Sequence, residues 1–172
     1  MWLISPRVEM EQAFQTFYFD YVAHDPLNGE YYAECLKDFD GYVERLLQEA
    51  QGVNLRPGYV PCSHFWLTDE QQHIIGIIRI RHNIDNPFLT LEAGHIGYDI
   101  CPSKRGKGYG KLMLSLAREE ISRLGIARAL VTANKENIAS RRVIEANGGQ
   151  FERYVQSEFF TECIARYWID IR

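Results

Sequence analysis

Four cysteines are scattered through 172 residues, and no two of them form a C-x-x-C pair. Cys35, Cys62, Cys101 and Cys163 therefore suggest neither a zinc site nor a disulfide framework, and they read as free thiols in a reducing compartment. No stretch approaches the roughly 20 apolar residues of a membrane-spanning helix. The opening run from Met1 to Arg7 is too short in apolar residues for a signal peptide. A soluble, cytoplasmic protein with no membrane partner is the expectation. An excess of basic residues is also missing. Lys and Arg total 19 against 23 Asp and Glu, a net charge of -4, which argues against nucleic acid as a partner. The mild acidity is compatible with a cationic amine substrate without arguing for one. Internal repeats and low-complexity segments are lacking, no metal-ligand spacing stands out, and the G-x-x-x-x-G-K-[ST] phosphate loop does not occur.

What is present is a chain with 46% hydrophobic and 24% charged residues, enough for a full core in one domain spanning 1–172. Trp2 to Ile4 reads as a short first strand. Residues 8–24 carry Met10, Phe14, Phe17, Tyr18 and Tyr21 at helical spacing, an aromatic stripe suited to core or cleft wall. His24 to Gly29 is a turn-rich break. Phe39 to Gln51 is a second helix, with Tyr42, Leu46 and Leu47 on its buried face. Residues 52–62 form a loop. Strands at Ser63–Leu67 and Ile74–Arg81 make an antiparallel hairpin, and 82–94 is a connection. Further strands are expected at 128–132, 150–155 and 163–171, the last two joined through a connection containing Phe159, Phe160 and Thr161. His64, His73 and His82 read as surface or edge residues.

The most informative stretch is 95–125. Ile96, Tyr98 and Ile100 alternate with Gly97 and Asp99 as a strand, and Pro102 stops it. Arg105, Gly106, Lys107, Gly108, Tyr109 and Gly110 follow as a glycine-rich turn. A helix comes next, with Leu112, Leu116, Ala117, Ile121 and Leu124 as its apolar face and Gly125 at its end. A strand, a glycine turn and a helix N-terminus together form an anion site: the backbone can approach a ligand closely and several N–H groups point one way. Lys104, Arg105, Lys107 and Lys111 add positive charge. The expected ligand is a phosphate or pyrophosphate. The G-x-G-x-x-G dinucleotide fingerprint is not met, since Gly106, Gly108 and Gly110 give G-x-G-x-G.

Arg105-x-x-Gly108-x-Gly110, after a strand and before a helix, resembles motif A of the GNAT superfamily, the acyl-CoA-dependent N-acyltransferases. A second motif supports the resemblance. Asn137 and Ser140 open a predicted helix that closes at Gly148-Gly149, matching the family's Asn-x-x-Ser element. Asn137 also suits a helix N-cap. The resemblance covers 63–172 in order and spacing, and the first 62 residues only in kind.

The resemblance implies an α/β (α+β) fold: a mixed, mostly antiparallel twisted sheet of about six or seven strands with a splayed central parallel pair, flanked by about four helices. It implies acetyl-CoA as co-substrate. Arg105, Gly106, Lys107, Gly108, Tyr109 and Gly110 would cradle the pyrophosphate. Tyr98 and Ile100 would line the pantetheine arm through main chain, and Asn137 and Ser140 would contact the cofactor. The implied reaction is direct acetyl transfer to a primary amine of a small molecule or peptide, with Tyr31, Tyr32 and the 52–62 loop as candidate acceptor contacts. Such an amine must lose a proton before it attacks. Glu92, His95 and Asp99 are the base candidates. The family's usual tyrosine acid falls at Ile144, which cannot donate. Either the thiolate leaves unassisted, another residue such as Tyr154 substitutes, or the chain is a catalytically weak acyl-CoA-binding sensor or interaction module. A nucleotide-binding enzyme is a third reading, disfavoured by the missing phosphate-loop lysine. The sequence is compatible with a homodimer.

Overall fold

The computed structural model describes residues 1–159 and 161–171; Phe160, in the expected hairpin connection, lies outside the described residues. Seven strands form one sheet: β1 (Trp2–Ile4), β2 (Cys62–Thr68), β3 (Ile74–Arg81), β4 (Ile96–Ile100), β5 (Arg128–Asn134), β6 (Gln150–Gln156) and β7 (Cys163–Asp170). Their order is β1-β2-β3-β4-β5-β7-β6. All neighbours pair antiparallel except β4 and β5, which run parallel and share the single register pair Ile96–Val131. The expected mixed sheet and its splayed central pair are both found.

The helices are α1 (Glu11–His24), α2 (Pro26–Gly29), α3 (Phe39–Gln51), α4 (Tyr109–Arg123) and α5 (Ile138–Ala146). They cover both faces of the sheet. One core joins α4 to β3, β5 and β7 through Met113, Leu114, Ala117, Ile121, Ile78, Val131 and Tyr167. The other packs α1, α3 and the turn between them on Trp66, Ile74 and Ile77. Its centre is Phe14, which lies 5.0 Å from Trp66 and 5.3 Å from Tyr42, ring centroid to centroid, in tilted contacts. The aromatic stripe of the first helix is therefore core: Phe14, Phe17 and Tyr21 are all buried.

Local signals explain the ends. Asp38 caps α3 by accepting from the Gly41 N–H, and Gly52 closes it in the left-handed region. Asn137 caps α5, accepting from Ser140 N–H at 3.0 Å. Gly125 at φ 77 permits the turn that returns the chain to the sheet.

Four expectations need correction. The buried side of α4 is Met113, Leu114, Ala117 and Ile121, while Leu112 and Leu116 face outward. The leucines sit one helical step, about 100°, from the true seam, and methionine and alanine fill the tight space under β3. Leu47 is likewise exposed. His64 is buried rather than superficial, because Glu49 of α3 gives its Nε2 a partner at 2.8 Å. The expected break after α1 is instead the short α2 followed by a 3-10 stretch from Glu30 to Leu36, and the 82–94 connection contains a helical turn from Leu89 to Ala93.

Candidate active site

The splay follows from the ladder. Cys101 N–H donates to Ile75 O at 2.9 Å and Arg81 N–H to His95 O at 2.8 Å, so the odd-numbered residues of β4 face β3. In an antiparallel pair hydrogen-bonding direction alternates, so the backbone groups of Tyr98 and Ile100 point toward β5. Beyond Ile96–Val131, β5 has diverged. A gap lined by main chain results.

Side chains alternate as well. Tyr98 and Ile100 lie on the α4–α5 side, where the Tyr98 hydroxyl meets Ser140 Oγ at 2.7 Å. Burial pushes the Tyr98 phenol up to about 12, despite that hydrogen bond. Asp99 lies on the α1–α3 side, in one cross-sheet row with Ile77 and Trp66; Gly97, Arg79 and His64 form the next row.

On the α4–α5 side the gap opens into a cleft of about 710 Å³, lined by Tyr98, Asp99, Ile100, Arg105, Gly106, Gly108, Tyr109, Gly110, Asn137 and Ser140. Nine of those ten are residues that the sequence assigned to cofactor binding; Asp99 was a base candidate. Gly106 and Gly108 have φ of 75 and 82, and a Cβ on either would meet nothing within 4 Å. They are glycine for conformation, and the space above them is open for a ligand. The N-terminus of α4 faces the same opening. Lys104, Lys111 and Arg142 add charge to the wall. This donor set suits a pyrophosphate.

Arg105 is engaged inward: its Nε donates to Ile100 O at 3.1 Å, its terminal nitrogen pairs with Asp25 at 2.8 Å, and its guanidinium lies over the Tyr21 ring. It ties the glycine turn to α1 and α2. Lys107 is not on the cleft wall; its Nζ donates to Ser103 O at 3.3 Å. Arg142, Val143 and Ala139, which do line the cleft, escaped the sequence reading. Their only signal was position on the cleft side of α5.

The base candidates separate. Glu92 is buried and accepts from the Ser157 hydroxyl and the Glu158 N–H, both at 2.6 Å, while its backbone carbonyl takes the Thr132 hydroxyl. It clamps the 82–94 connection to the β6–β7 turn. His95 Nδ1 accepts from Leu130 N–H at 3.0 Å, and burial, helped by the Arg81 charge, holds the imidazole below its usual pKa. Asp99 alone reaches the cleft. Its Oδ2 accepts from Tyr32 Oη and Arg79 Nη2, both at 2.6 Å, and no hydrogen bond occupies Oδ1 among the described residues.

Tyr154 stands on the exposed outer strand β6, beside Lys135, Arg141 and Phe151, away from the cleft wall. Ile144 is fully buried, packed where Gly149 leaves room. Among the described residues no group of three or more His, Cys, Asp or Glu side chains could hold a metal ion, and no helix is long and apolar enough to cross a membrane.

Comparison with known proteins agrees with this geometry. Residues 11–150 match the family model of the acetyltransferase (GNAT) domain. No curated protein matches the sequence. A ribosomal L7/L12 alpha-N-protein acetyltransferase solved with coenzyme A superposes with TM-score 0.71 at 18% identity, covering 99% of this chain and 94% of the other. An acetyltransferase from Salmonella typhimurium that modifies the N-terminal serine of L7/L12 gives 0.66 at 17%, covering 99% and 94%. A spermidine N-acetyltransferase chimera from Vibrio cholerae and hSSAT gives 0.64 at 16%, covering 99% and 95%.

Proposed function

The chain belongs to the GNAT acetyltransferase family, whose members use acetyl-CoA, and we propose that it transfers the acetyl group to a primary amine by direct attack at the β4–β5 gap. The observation that carries the proposal is the cleft itself. One wall joins the open glycine turn, the capped start of α5 and the outward-facing backbone of Tyr98 and Ile100. Acetyl-CoA supplies the activated acyl group as a thioester. The glycine turn and the α4 N-terminus hold its pyrophosphate, chiefly by backbone N–H groups. Asn137 and Ser140 border the same cleft. The N–H groups of Tyr98 and Ile100, directed into the gap, supply donors of the kind that stabilise negative charge on an acyl oxygen.

Transfer forms an N–C bond and breaks a C–S bond. The protonated amine gives up two protons, one to solvent before it attacks and one afterwards, and the sulfur takes one. Asp99 is the carboxylate placed to hold the incoming amine, directly or through water, at its open Oδ1. The sulfur leaves as thiolate without a fixed acid. An ordinary thiol titrates near 8.5, so unassisted departure is feasible, and the Tyr98 hydroxyl, the phenol beside the gap, is already held by Ser140. Thiol release from acetyl-CoA over a panel of amines tests the reading. Turnover with an amine supports it; acetyl-CoA binding without release from any amine favours the sensor alternative.

A further inference from the structure

A second pocket of about 240 Å³ lies on the α1–α3 side of the sheet, bordered by Tyr32, Tyr42, Glu49, His64, Trp66 and Arg79. Its hydrogen-bonding capacity is lopsided. The Trp66 indole nitrogen is fully buried and is the sole buried side-chain polar atom without a partner among the described residues. An indole N–H can only donate. Arg79 carries five N–H donors, yet makes two bonds, to Asp99 and to the Tyr32 hydroxyl at 3.2 Å. Three of its N–H groups have no partner among the described residues, although the guanidinium is largely buried under the Tyr31 ring.

The carboxylates bordering the pocket are already engaged. Glu49 takes Arg45 on Oε1 and His64 on Oε2. Glu34, at the exposed rim, takes Arg45 and Arg56. Unspent donors at the buried end of a pocket call for a ligand that brings acceptors, because a buried unpaired polar group costs free energy. A nearby carboxylate oxygen without a bond among the described residues is Asp99 Oδ1; Asp99 pairs with Arg79 and lines the neighbouring cleft. Across the sheet Trp66, Ile77 and Asp99 stand in one row, so Trp66 and Asp99 lie two strand spacings apart, roughly 10 Å.

We infer that the acceptor is a small primary amine bearing a carboxylate, its amine directed to Asp99 and its carboxylate to Arg79 and the Trp66 N–H. This rests on the transferase reading and names the substrate class of that same site. It disfavours polycationic acceptors such as spermidine, for which the pocket offers no free carboxylate at its buried end.

The test compares matched acceptors with the full-length protein: L-methionine against 3-(methylthio)propylamine, L-leucine against isoamylamine, L-phenylalanine against phenethylamine, and spermidine alone. The carboxylate member should have the higher kcat/KM, by tenfold or more, the scale of a bond to a charged group. Trp66→Phe keeps the ring but not the donor. It should raise KM for the carboxylate acceptor about tenfold more than for the matched decarboxylated amine, with acetyl-CoA affinity unchanged. The inference is overturned if the decarboxylated amines or spermidine are equal or better acceptors, if Trp66→Phe affects both members of a pair alike, or if acetyl-CoA binds while no carboxylate acceptor releases thiol. The matched pairs need no variant, so a poorly folding Trp66→Phe leaves the test intact. Loss of acetyl-CoA binding by the wild-type protein would overturn the transferase reading itself, and this inference with it.

Discussion

Replacing Asp99 with asparagine separates the two roles that the structure gives this residue. The carboxylate accepts two short bonds, from Tyr32 and Arg79, both at 2.6 Å. Asparagine keeps one carbonyl oxygen but removes the charge. A bond to a charged group contributes about 1.5–3 kcal/mol and a neutral one about 0.5–1.5. Two such exchanges cost about 2 kcal/mol, with the side chain 30% exposed. In a domain of this size that lowers Tm by roughly 4–8 °C. If Asp99 also receives the amine, kcat/KM for the acceptor falls at least a hundredfold, the range seen for lost acid–base help. Acetyl-CoA affinity stays within about twofold, because the pyrophosphate residues are untouched. Differential scanning calorimetry, acetyl-CoA titration and thiol release measure the three quantities. A variant that melts lower yet turns over at the wild-type rate would refute the catalytic part of the reasoning and leave Asp99 a structural partner of Arg79.

Two further outcomes are expected. Ile144→Tyr, which puts a tyrosine where the resemblance implies the usual acid, should not raise kcat: the site is fully buried and Gly149 lies against it, so overpacking costs about 1–3 kcal/mol, measurable by denaturant melts, and a faster enzyme would contradict the placement. Acid should destabilise the fold through His95, whose pKa is lowered chiefly by burial. Below about pH 6.5 the unfolded chain takes a proton that the folded one refuses, so stability drops by up to about 1.4 kcal/mol per pH unit until the folded-state pKa is reached. Melts at pH 7.5, 6.0 and 5.0 check the sign, and a flat profile would count against it.

The sheet and the gathering of the glycine turn and the α5 start along one cleft were legible because their signals are local. Ile96, Tyr98 and Ile100 alternate, Pro102 ends the strand, Gly106 and Gly108 permit the positive φ that other residues resist, and Asn137 favours a helix cap. The splay followed only from the resemblance, since it depends on how far β5 diverges after Val131. Helix faces were less legible. Leu112 and Leu116 are as apolar as the buried Met113 and Leu114, and the choice between the two stripes is made by the room beneath β3. The base candidates could not be separated in sequence. Glu92, His95 and Asp99 lie within eight residues, and only the folded chain shows that Ser157 and Leu130 occupy the first two. The pocket on the α1–α3 side was least visible. Trp66, Arg79 and Glu49 come from β2, β3 and α3, and the indole looks like ordinary core until its missing partner is noticed.

Calorimetric titration of the wild-type protein and Gly108→Asp with acetyl-CoA, and of the wild type with ATP, tests the central claim most directly. Gly108 stands at φ 82 on the cleft wall with open space above it, so aspartate adds backbone strain and a negative charge where the pyrophosphate is assigned. The account predicts saturable binding of acetyl-CoA to the wild type, none of ATP, and at least a tenfold loss of affinity in a folded Gly108→Asp. No heat with acetyl-CoA, or equal affinity in the variant, would contradict the assignment of the cleft.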